Sequence, residues 1–286
     1  MNSLPKEIAV NELPSWSNWP ARLIGVEVFK TVERNLAKIQ SEYSEDKWQK
    51  CYDAYDTSNG KMDADDLRRL HYDLTSVEQR ASILSGKIIG ATNSEIMSCY
   101  DRILKSAMTP SLKTARTVIE LGSGIGHIMW MLRQNFPSLA YRGGDFADSA
   151  VALAAKLYAQ TLDISVEKFD FYAPDYALLE KAEGPVVVLT SQALEQVPKS
   201  SGVIETLAKY KQKISRVFHL EPAYSLYDDG SLLGLMRRRY IEINDYNRDL
   251  IPTLQTRKDV EILRLEPNII GWNPFNSLAL LEWRFI

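Results

Sequence analysis

The sequence predicts an α/β protein: a doubly wound, mostly parallel sheet of seven strands, preceded by a helical region over residues 1–110. From residue 117 onward, short β-branched or apolar runs alternate with helical patterns at the spacing of βαβ units. The last two strand patterns are joined too briefly for a crossover helix, so we expect them to form an antiparallel hairpin. Before residue 110, apolar residues recur at three- and four-residue spacing, which is typical of helices.

The N-terminal region is predicted to contain several helices. Residues 22–55 contain few glycines or prolines, and Asn59-Gly60 marks a loop. The spacing Ser76-x-x-Gln79 predicts a capping box at the start of another long helix that ends near Pro110. Its aromatic residues are predicted to pack in a core: Trp16, Trp19, Tyr43, Trp48 and Tyr52.

The C-terminal region, residues 111–286, is predicted to form the sheet. Its seven predicted strands are TVIEL, AYRGGDF, SVEKFDF, GPVVVLTS, SRVFHLEP, VEILRLEPNIIG and LALLEWRF. Helical patterns separate the first five strands, and one long helix is predicted over residues 230–254. Helices would then cover both faces of a mostly parallel sheet.

Composition and charge exclude several classes of protein. The 286 residues are 45% hydrophobic and 25% charged, which is typical of a soluble globular protein. The formal net charge of -3 gives no basic field, so we expect neither nucleic acid nor an anionic membrane as partner. The N-terminal residues do not resemble a secretory signal, so we expect a cytoplasmic protein. Cys51 and Cys99 are far apart, which indicates two free thiols, and we expect no metal site.

The stretch TVIELGSGIGHI, residues 117–128, carries the main signal for a ligand. Three glycines follow an apolar strand and precede a helix, an arrangement that brings backbone amides close to a ligand. A dinucleotide fingerprint, G-x-G-x-x-G, would need its third glycine at His127 or at Met129. A P-loop, G-x-x-x-x-G-K-[ST], is absent. The pattern that is present is E-x-G-x-G-x-G.

Glu120, Gly122, Gly124 and Gly126 resemble motif I of the class I S-adenosylmethionine-dependent methyltransferases. The resemblance implies a Rossmann-like methyltransferase fold, with S-adenosylmethionine as cofactor and S-adenosylhomocysteine as product. It also implies that this loop, Ser123 included, holds the methionyl part of the cofactor. Negative potential at Glu120 suits the methionyl ammonium. The resemblance extends over residues 114–286.

The next strand ends carry further residues that the resemblance assigns to the cofactor. Asp145 would accept hydrogen bonds from the ribose hydroxyls, with Phe146 against the adenine. Asp170 and Phe171 would contact the adenine amino group and ring. All lie at the carboxyl ends of strands, where open α/β sheets bind ligands. Two residues after the fourth strand are also assigned to this site: Ser191 and Gln192.

The segment LTSQALEQVP resembles small-molecule and sugar O-methyltransferases, and it places Glu195 beside the acceptor. The D/N-P-P-Y/F motif of nucleic-acid and protein amino-methylating members is absent there, and we interpret NPFN at residues 273–276 as a turn. The predicted function is therefore methyl transfer to a hydroxyl or an amine of a small molecule, such as a sugar or another biosynthetic intermediate.

An alcohol acceptor needs a general base. Glu221 and His219 lie two apart in the fifth strand, hence on one face, and are the first candidates. His127 and Glu195 follow. His71 is predicted to lie on the surface.

The long helix after the fifth strand offers two interpretations. Its arginines could form a solvated face paired with nearby acids such as Glu242. Alternatively Arg239, with Tyr240 and Asn244, would hold an anionic acceptor. A protein methyltransferase and a non-catalytic protein that binds cofactor and a partner stay open as alternatives, as does a homodimer. A nicotinamide-dependent oxidoreductase is disfavoured by the glycine spacing.

Overall fold

The computed structural model describes residues 6–31 and 33–286. Residues 1–5 lie outside the described residues. They belong to the N-terminal stretch that was predicted not to be a secretory signal. No helix in the described ranges combines the length and the apolar character needed to cross a bilayer.

The N-terminal part contains helices and, contrary to the prediction, two strands. In chain order its main elements are α1 (Trp19–Leu23), α2 (Leu36–Ile39), α3 (Trp48–Thr57), α4 (Ala64–His71), β1 (Arg80–Leu84), β2 (Lys87–Ala91) and α5 (Asn93–Leu112). A π-helical segment, Gln40–Lys47, joins α2 to α3. The capping box predicted at Ser76 is wrong, because the chain there enters a β-hairpin. The helix that follows begins instead at Thr92, whose side chain and that of Glu95 cap it reciprocally.

The C-terminal part alternates strands and helices as predicted up to β7. Its strands are β3 (Thr117–Leu121), β4 (Ala140–Asp145), β5 (Ile164–Lys168), β6 (Val186–Ser191), β7 (Ile214–Pro222), β8 (Val260–Gly271) and β9 (Leu278–Phe285). Its helices are α6 (His127–Arg133), α7 (Asp148–Leu157), α8 (Ala177–Lys181), α9 (Ser201–Ala208), α10 (Leu232–Ile243) and α11 (Leu250–Thr256).

All these strands belong to one mixed sheet with the order β2-β1-β8-β9-β7-β6-β3-β4-β5. The predicted α/β class and the final antiparallel β8–β9 hairpin are confirmed. The predicted count of seven mostly parallel strands is wrong. Within the described residues the sheet has nine strands, and only β3 to β7 are parallel to one another. The two additional strands come from the N-terminal part, where β1 pairs with β8.

Helices cover both faces of the sheet, and β3 is an interior strand, between β6 and β4, with every residue buried. Val118 packs into one hydrophobic cluster, whereas Ile119 and Leu121 pack into the cluster on the opposite face. Leu104 of α5 lies in the same cluster as Val118, fully buried. The N-terminal part therefore shares a hydrophobic core with the sheet. Burial of each such side chain contributes about 2 kcal/mol to folding, so the N-terminal part and the sheet stabilise each other.

The single long helix predicted over residues 230–254 is two helices. Asp245 adopts a left-handed conformation, with φ of 51°, which ends α10. The side-chain oxygen of Asn247 then accepts a hydrogen bond from the backbone N–H of Leu250 at 3.0 Å, which holds the turn that leads into α11.

Candidate active site

One cavity of about 550 Å³ lies where the carboxyl ends of β3, β4, β5 and β6 meet. Ten of the eleven predicted cofactor residues line it: Glu120, Gly122, Ser123, Gly124, Asp145, Phe146, Asp170, Phe171, Ser191 and Gln192. Gly126 lies at the start of α6 and does not line the cavity. The strand-end residues that the sequence predicted to converge are therefore brought together.

The glycine loop needs its glycines for conformation and for space. Gly122, Gly124 and Gly126 have φ of 78°, 55° and 81°, a region that side chains disfavour. A Cβ on Gly122 would collide with the Cβ of Ala193, and one on Gly124 with the indole of Trp48. The backbone N–H of Gly122 donates to the carbonyl of Gly144 at 2.7 Å, which ties the loop to β4.

Two carboxyl groups face this loop. The Asp145 carboxylate accepts hydrogen bonds from the backbone N–H of Gly124 at 2.6 Å and of Ala147 at 2.8 Å. Glu120 is 2% exposed, and within the described part of the chain its Oε2 has no hydrogen-bond partner. Burial, followed by the charge of Asp145, raises the pKa of Glu120 well above its ordinary value. An unpaired buried carboxyl oxygen is costly, so this position favours a cationic partner.

Aromatic rings lie beside the next two strand ends. The Phe171 ring packs edge-on against Phe169, with ring centroids 5.0 Å apart. The Phe146 ring is half-buried, and the ammonium of Lys168 lies 4.5 Å from its centroid. The side chain of Asp170 accepts a hydrogen bond from the backbone N–H of Tyr172 at 2.9 Å, which shapes the turn after β5. These side chains give the cavity flat apolar walls next to two acids.

The loop after β6 is held from behind by Glu221. Its carboxylate accepts hydrogen bonds from three successive backbone N–H groups, those of Ala193, Leu194 and Glu195, at 3.1, 3.0 and 3.1 Å. Glu221 is 3% exposed and does not line the cavity. The structure therefore places this first candidate base behind the loop, where it fixes the backbone.

His219 also lies away from the cavity. It is 1% exposed, its Nδ1 is hydrogen-bonded with the Thr190 hydroxyl at 2.8 Å, and its ring lies parallel to that of Trp283. Burial lowers the pKa of His219 to about 3, so the ring is neutral at physiological pH. Alternation correctly places Glu221 and His219 on one face of β7, but that face is packed inside the protein.

The other two candidate bases line the cavity. The Glu195 carboxylate accepts hydrogen bonds from the side-chain amides of Gln196 at 2.9 Å and of Asn276 at 3.2 Å. Burial raises the pKa of Glu195. His127 is hydrogen-bonded through Nε2 with the Tyr72 hydroxyl at 3.2 Å, and burial lowers its pKa well below the ordinary value. At neutral pH His127 is therefore an uncharged imidazole.

The three predicted acceptor-binding residues on α10 do not reach the cavity. Arg239 is exposed and pairs with Glu242 at 3.5 Å. The Tyr240 ring packs against Trp19, and the Asn244 side chain donates to the Tyr240 carbonyl at 2.9 Å. Arg239 therefore fits the first of the two interpretations, in which the arginines of this helix lie on a solvated face and pair with nearby acids.

Several lining residues come from the N-terminal part and from late loops, and the sequence did not predict their roles. They are Tyr43, Trp48, His71, Tyr72, Tyr100, Tyr246 and Asn276. Trp48 lies in a hydrophobic cluster with Tyr43 packed against it, as predicted, and both side chains also line the cavity. The prediction that His71 lies on the surface is wrong, because its half-buried ring stacks on Trp48 with ring centroids 4.2 Å apart. Asn276 belongs to the segment interpreted as a turn. Its contact with Glu195 spans 81 positions of sequence, and no local pattern signals such a contact.

The chain is a Rossmann-like α/β protein with a cavity at the carboxyl ends of its parallel strands. No protein-family model matches the sequence, and no curated protein matches it. Solved structures that align with it include the plantazolicin methyltransferase BpumL in complex with SAH, at 16% identity over 94% of this chain and 99% of that one, with a TM-score of 0.48.

Two further solved structures align over less of the chain. The magnesium protoporphyrin IX methyltransferase from Synechocystis PCC 6803 with bound SAH aligns at 14% identity over 68% of this chain and 87% of that one, with a TM-score of 0.47. The O-methyltransferase NcsB1 from neocarzinostatin biosynthesis aligns at 13% identity over 66% and 57%, with a TM-score of 0.43. All three of these proteins are methyltransferases.

Proposed function

We propose that this protein is an S-adenosylmethionine-dependent methyltransferase that acts on a small molecule. The observation that carries the proposal is the convergence of three consecutive parallel strand ends on one cavity. They bring together Glu120 near the end of β3 with the glycine loop that follows, Asp145 at the end of β4 and Asp170 just after β5. We call these residues, with Phe146 and Phe171, the cofactor end of the cavity.

The donors and acceptors at the cofactor end suit the parts of the cofactor. The unpaired Oε2 of Glu120 offers an acceptor for the methionyl ammonium. Asp145 uses two backbone donors, and a carboxylate has about four acceptor positions, so two are free for the two ribose hydroxyls. Phe146 and Phe171 offer flat surfaces for adenine. The glycine loop has no lysine and no P-loop spacing for binding a phosphate. This suits S-adenosylmethionine, which carries no phosphate group.

The cofactor, when bound, supplies an electrophilic methyl group on a positively charged sulfur. The protein then has two tasks: to position the acceptor oxygen in line with that methyl and to accept its proton. We propose that the Glu195 carboxylate is the general base that accepts this proton, because it lines the cavity and is held by the Gln196 and Asn276 amides. Its raised pKa makes it a stronger base than an exposed glutamate.

We propose that the N-terminal part completes the site. Trp48 covers the glycine loop at Gly124, and Tyr43 lines the same cavity. Deleting the first hundred residues would also remove β1, which pairs with β8, so deletion would not test this role cleanly. Trp48→Ala is the sharper change. It should raise the KM for the cofactor while the thermal unfolding curve keeps one transition, and an unchanged KM would contradict the assignment.

Transfer of a labelled methyl group tests the function directly. The purified chain is incubated with labelled S-adenosylmethionine and two fractions of a cell extract, one of small molecules and one of proteins. The proposal predicts label in the small-molecule fraction and none with Glu195→Gln. Label in proteins would indicate a protein methyltransferase instead. Cofactor binding without any transfer would indicate a non-catalytic protein.

A further inference from the structure

The part of the cavity beyond the cofactor end has a composition that restricts the acceptor. We call it the acceptor end; its residues are Leu36, Ile39, Tyr43, Lys47, Glu195 and Tyr246, with Trp48 at its border with the glycine loop. Two of the six are aliphatic and two are aromatic, so its walls are largely apolar, and its one lysine lies 4.1 Å from the centroid of the Tyr43 ring. The single acid is Glu195, which is 4% exposed.

The aromatic side chains lie next to this acid. Tyr43 and Tyr246 line the same cavity as Glu195, and the backbone N–H of Asn247, next to Tyr246, donates to the Glu195 carbonyl at 2.8 Å. Burial, and then the charge of Glu195, raise the pKa of both phenols, so both stay protonated at neutral pH. The Tyr246 ring is fixed by Arg34, whose guanidinium lies 4.8 Å from the ring centroid. Flat rings around one carboxylate favour a flat ligand that places a hydrogen-bond donor on that carboxylate.

The cations near the acceptor end are already engaged. Lys47 donates to Glu42 at 3.1 Å, and the Arg34 guanidinium contacts the same carboxylate at 2.7 Å. Lys50 pairs with Asp46 at 2.5 Å. Burial lowers the pKa of His71 to about 4, so this ring adds no charge at neutral pH. An anionic acceptor would meet the buried Glu195 carboxylate, and each lysine among the described lining residues already pairs with a carboxylate of its own.

From these observations we infer that the acceptor is an uncharged aromatic molecule that is methylated on a phenolic hydroxyl, an inference that rests on the proposed function. In the reaction the phenolic O–H bond breaks and its proton passes to the Glu195 carboxylate. The new O–CH₃ bond forms as the CH₃–S bond breaks, and the electron pair of that bond stays on sulfur in S-adenosylhomocysteine.

A phenol also suits Glu195 better than an aliphatic alcohol or an amine does. A phenol has a pKa of about 10, whereas the O–H of water has a pKa of about 15.7, and a carboxylate is a weak base for the latter. An ammonium group would pair with Glu195 and with the aromatic faces, but it would then be held protonated, without the lone pair that attacks the methyl group. An amine acceptor is therefore the opposing outcome of the test below.

The test measures binding of four matched probes to the full chain saturated with S-adenosylhomocysteine, by calorimetry at pH 7.5. The probes are 4-ethylphenol, 4-ethylcyclohexanol, 4-hydroxyphenylacetate and 4-ethylbenzylamine, which vary ring and charge at nearly constant size. We expect 4-ethylphenol to bind at least about tenfold more tightly than 4-hydroxyphenylacetate, because the latter brings a second negative charge near Glu195. We also expect it to bind more tightly than 4-ethylcyclohexanol.

Glu195→Gln sharpens the result, because it removes the charge and keeps the shape. It should improve binding of 4-hydroxyphenylacetate and reduce the preference for the phenol to a few-fold. Glu205→Gln, the same change on the exposed surface of α9, should leave the preference unchanged. Turnover with S-adenosylmethionine should give the methyl ether of 4-ethylphenol.

Three results would overturn the inference: 4-hydroxyphenylacetate binding as tightly as 4-ethylphenol, methyl transfer to 4-ethylbenzylamine in preference to the phenol, or no phenol binding. The wild-type comparison decides this even if Glu195→Gln fails to fold. If S-adenosylhomocysteine itself does not bind, the proposed function fails. If it binds and the phenol is not preferred, only the acceptor class is wrong.

Discussion

Replacing Asp145 by alanine tests where the ribose of the cofactor lies. The proposal gives the two free acceptor positions of this carboxylate to the two ribose hydroxyls. Each hydrogen bond to a charged acceptor contributes about 1.5 kcal/mol at the low end, so losing two costs about 3 kcal/mol. The Kd for S-adenosylhomocysteine, measured by isothermal titration calorimetry, should therefore rise roughly 100-fold.

The same substitution has a structural cost that must be separated from the binding effect. It leaves the backbone N–H groups of Gly124 and Ala147 without their acceptor, and each unsatisfied group costs about 1–3 kcal/mol. Asp145→Asn keeps one acceptor oxygen, so we expect an intermediate Kd and a smaller loss of thermal stability. Asp148→Asn is the matched control, because Asp148 is exposed and pairs with Lys168 outside the cavity. A folded Asp145→Ala protein whose Kd stays within about threefold of wild type would refute the placement of the ribose.

Three further predictions follow from the site and its buried acids. Gly122→Ala should lower the Tm by several degrees and weaken S-adenosylhomocysteine binding, because φ is 78° and the new methyl would collide with Ala193. Gly202→Ala, with open space around its Cα, is the control, and a Gly122→Ala protein with wild-type Tm would contradict the reasoning. Glu195→Gln should lower kcat by about 100-fold or more with little change in the Kd for S-adenosylhomocysteine. The wild-type rate should rise with pH through a pKa above the ordinary glutamate value; a rate that is already maximal at pH 5 would argue against Glu195 as the base. Burial, together with the charge of Glu195, raises the pKa of Glu221 to about 8, so the folded state binds a proton that the unfolded state has lost above pH 5. Stability should then fall by roughly 1 kcal/mol between pH 7 and pH 8, and less in Glu221→Gln; urea unfolding at both pH values measures this, and a rise would contradict the sign.

The sequence predicts the cofactor end well because that part depends on local patterns. The strand ends at Glu120, Asp145 and Asp170 follow from apolar runs and their boundaries. Parallel strands then bring their carboxyl ends to one edge of the sheet. Knowing the order of elements is enough to predict that these residues converge.

The rest depends on contacts between distant parts of the chain. Residues 80–91 have apolar spacing that also suits a helix. They form strands because β1 pairs with β2 and also with β8, nearly two hundred positions later. The acceptor end combines Tyr43, Glu195 and Tyr246 from three separate segments. Glu221 was a first candidate for the general base, but its carboxylate binds three backbone N–H groups of the neighbouring loop, and no pattern within β7 indicates those donors.

The account rests on the claim that the glycine loop and the acids at the next strand ends hold S-adenosylmethionine. Isothermal titration of the purified chain with S-adenosylhomocysteine, with NAD titrated in parallel, tests this claim most directly. The account predicts saturable binding of one S-adenosylhomocysteine per chain and no heat of binding with NAD. Saturable NAD binding with no response to S-adenosylhomocysteine would contradict it and would indicate a dinucleotide enzyme instead.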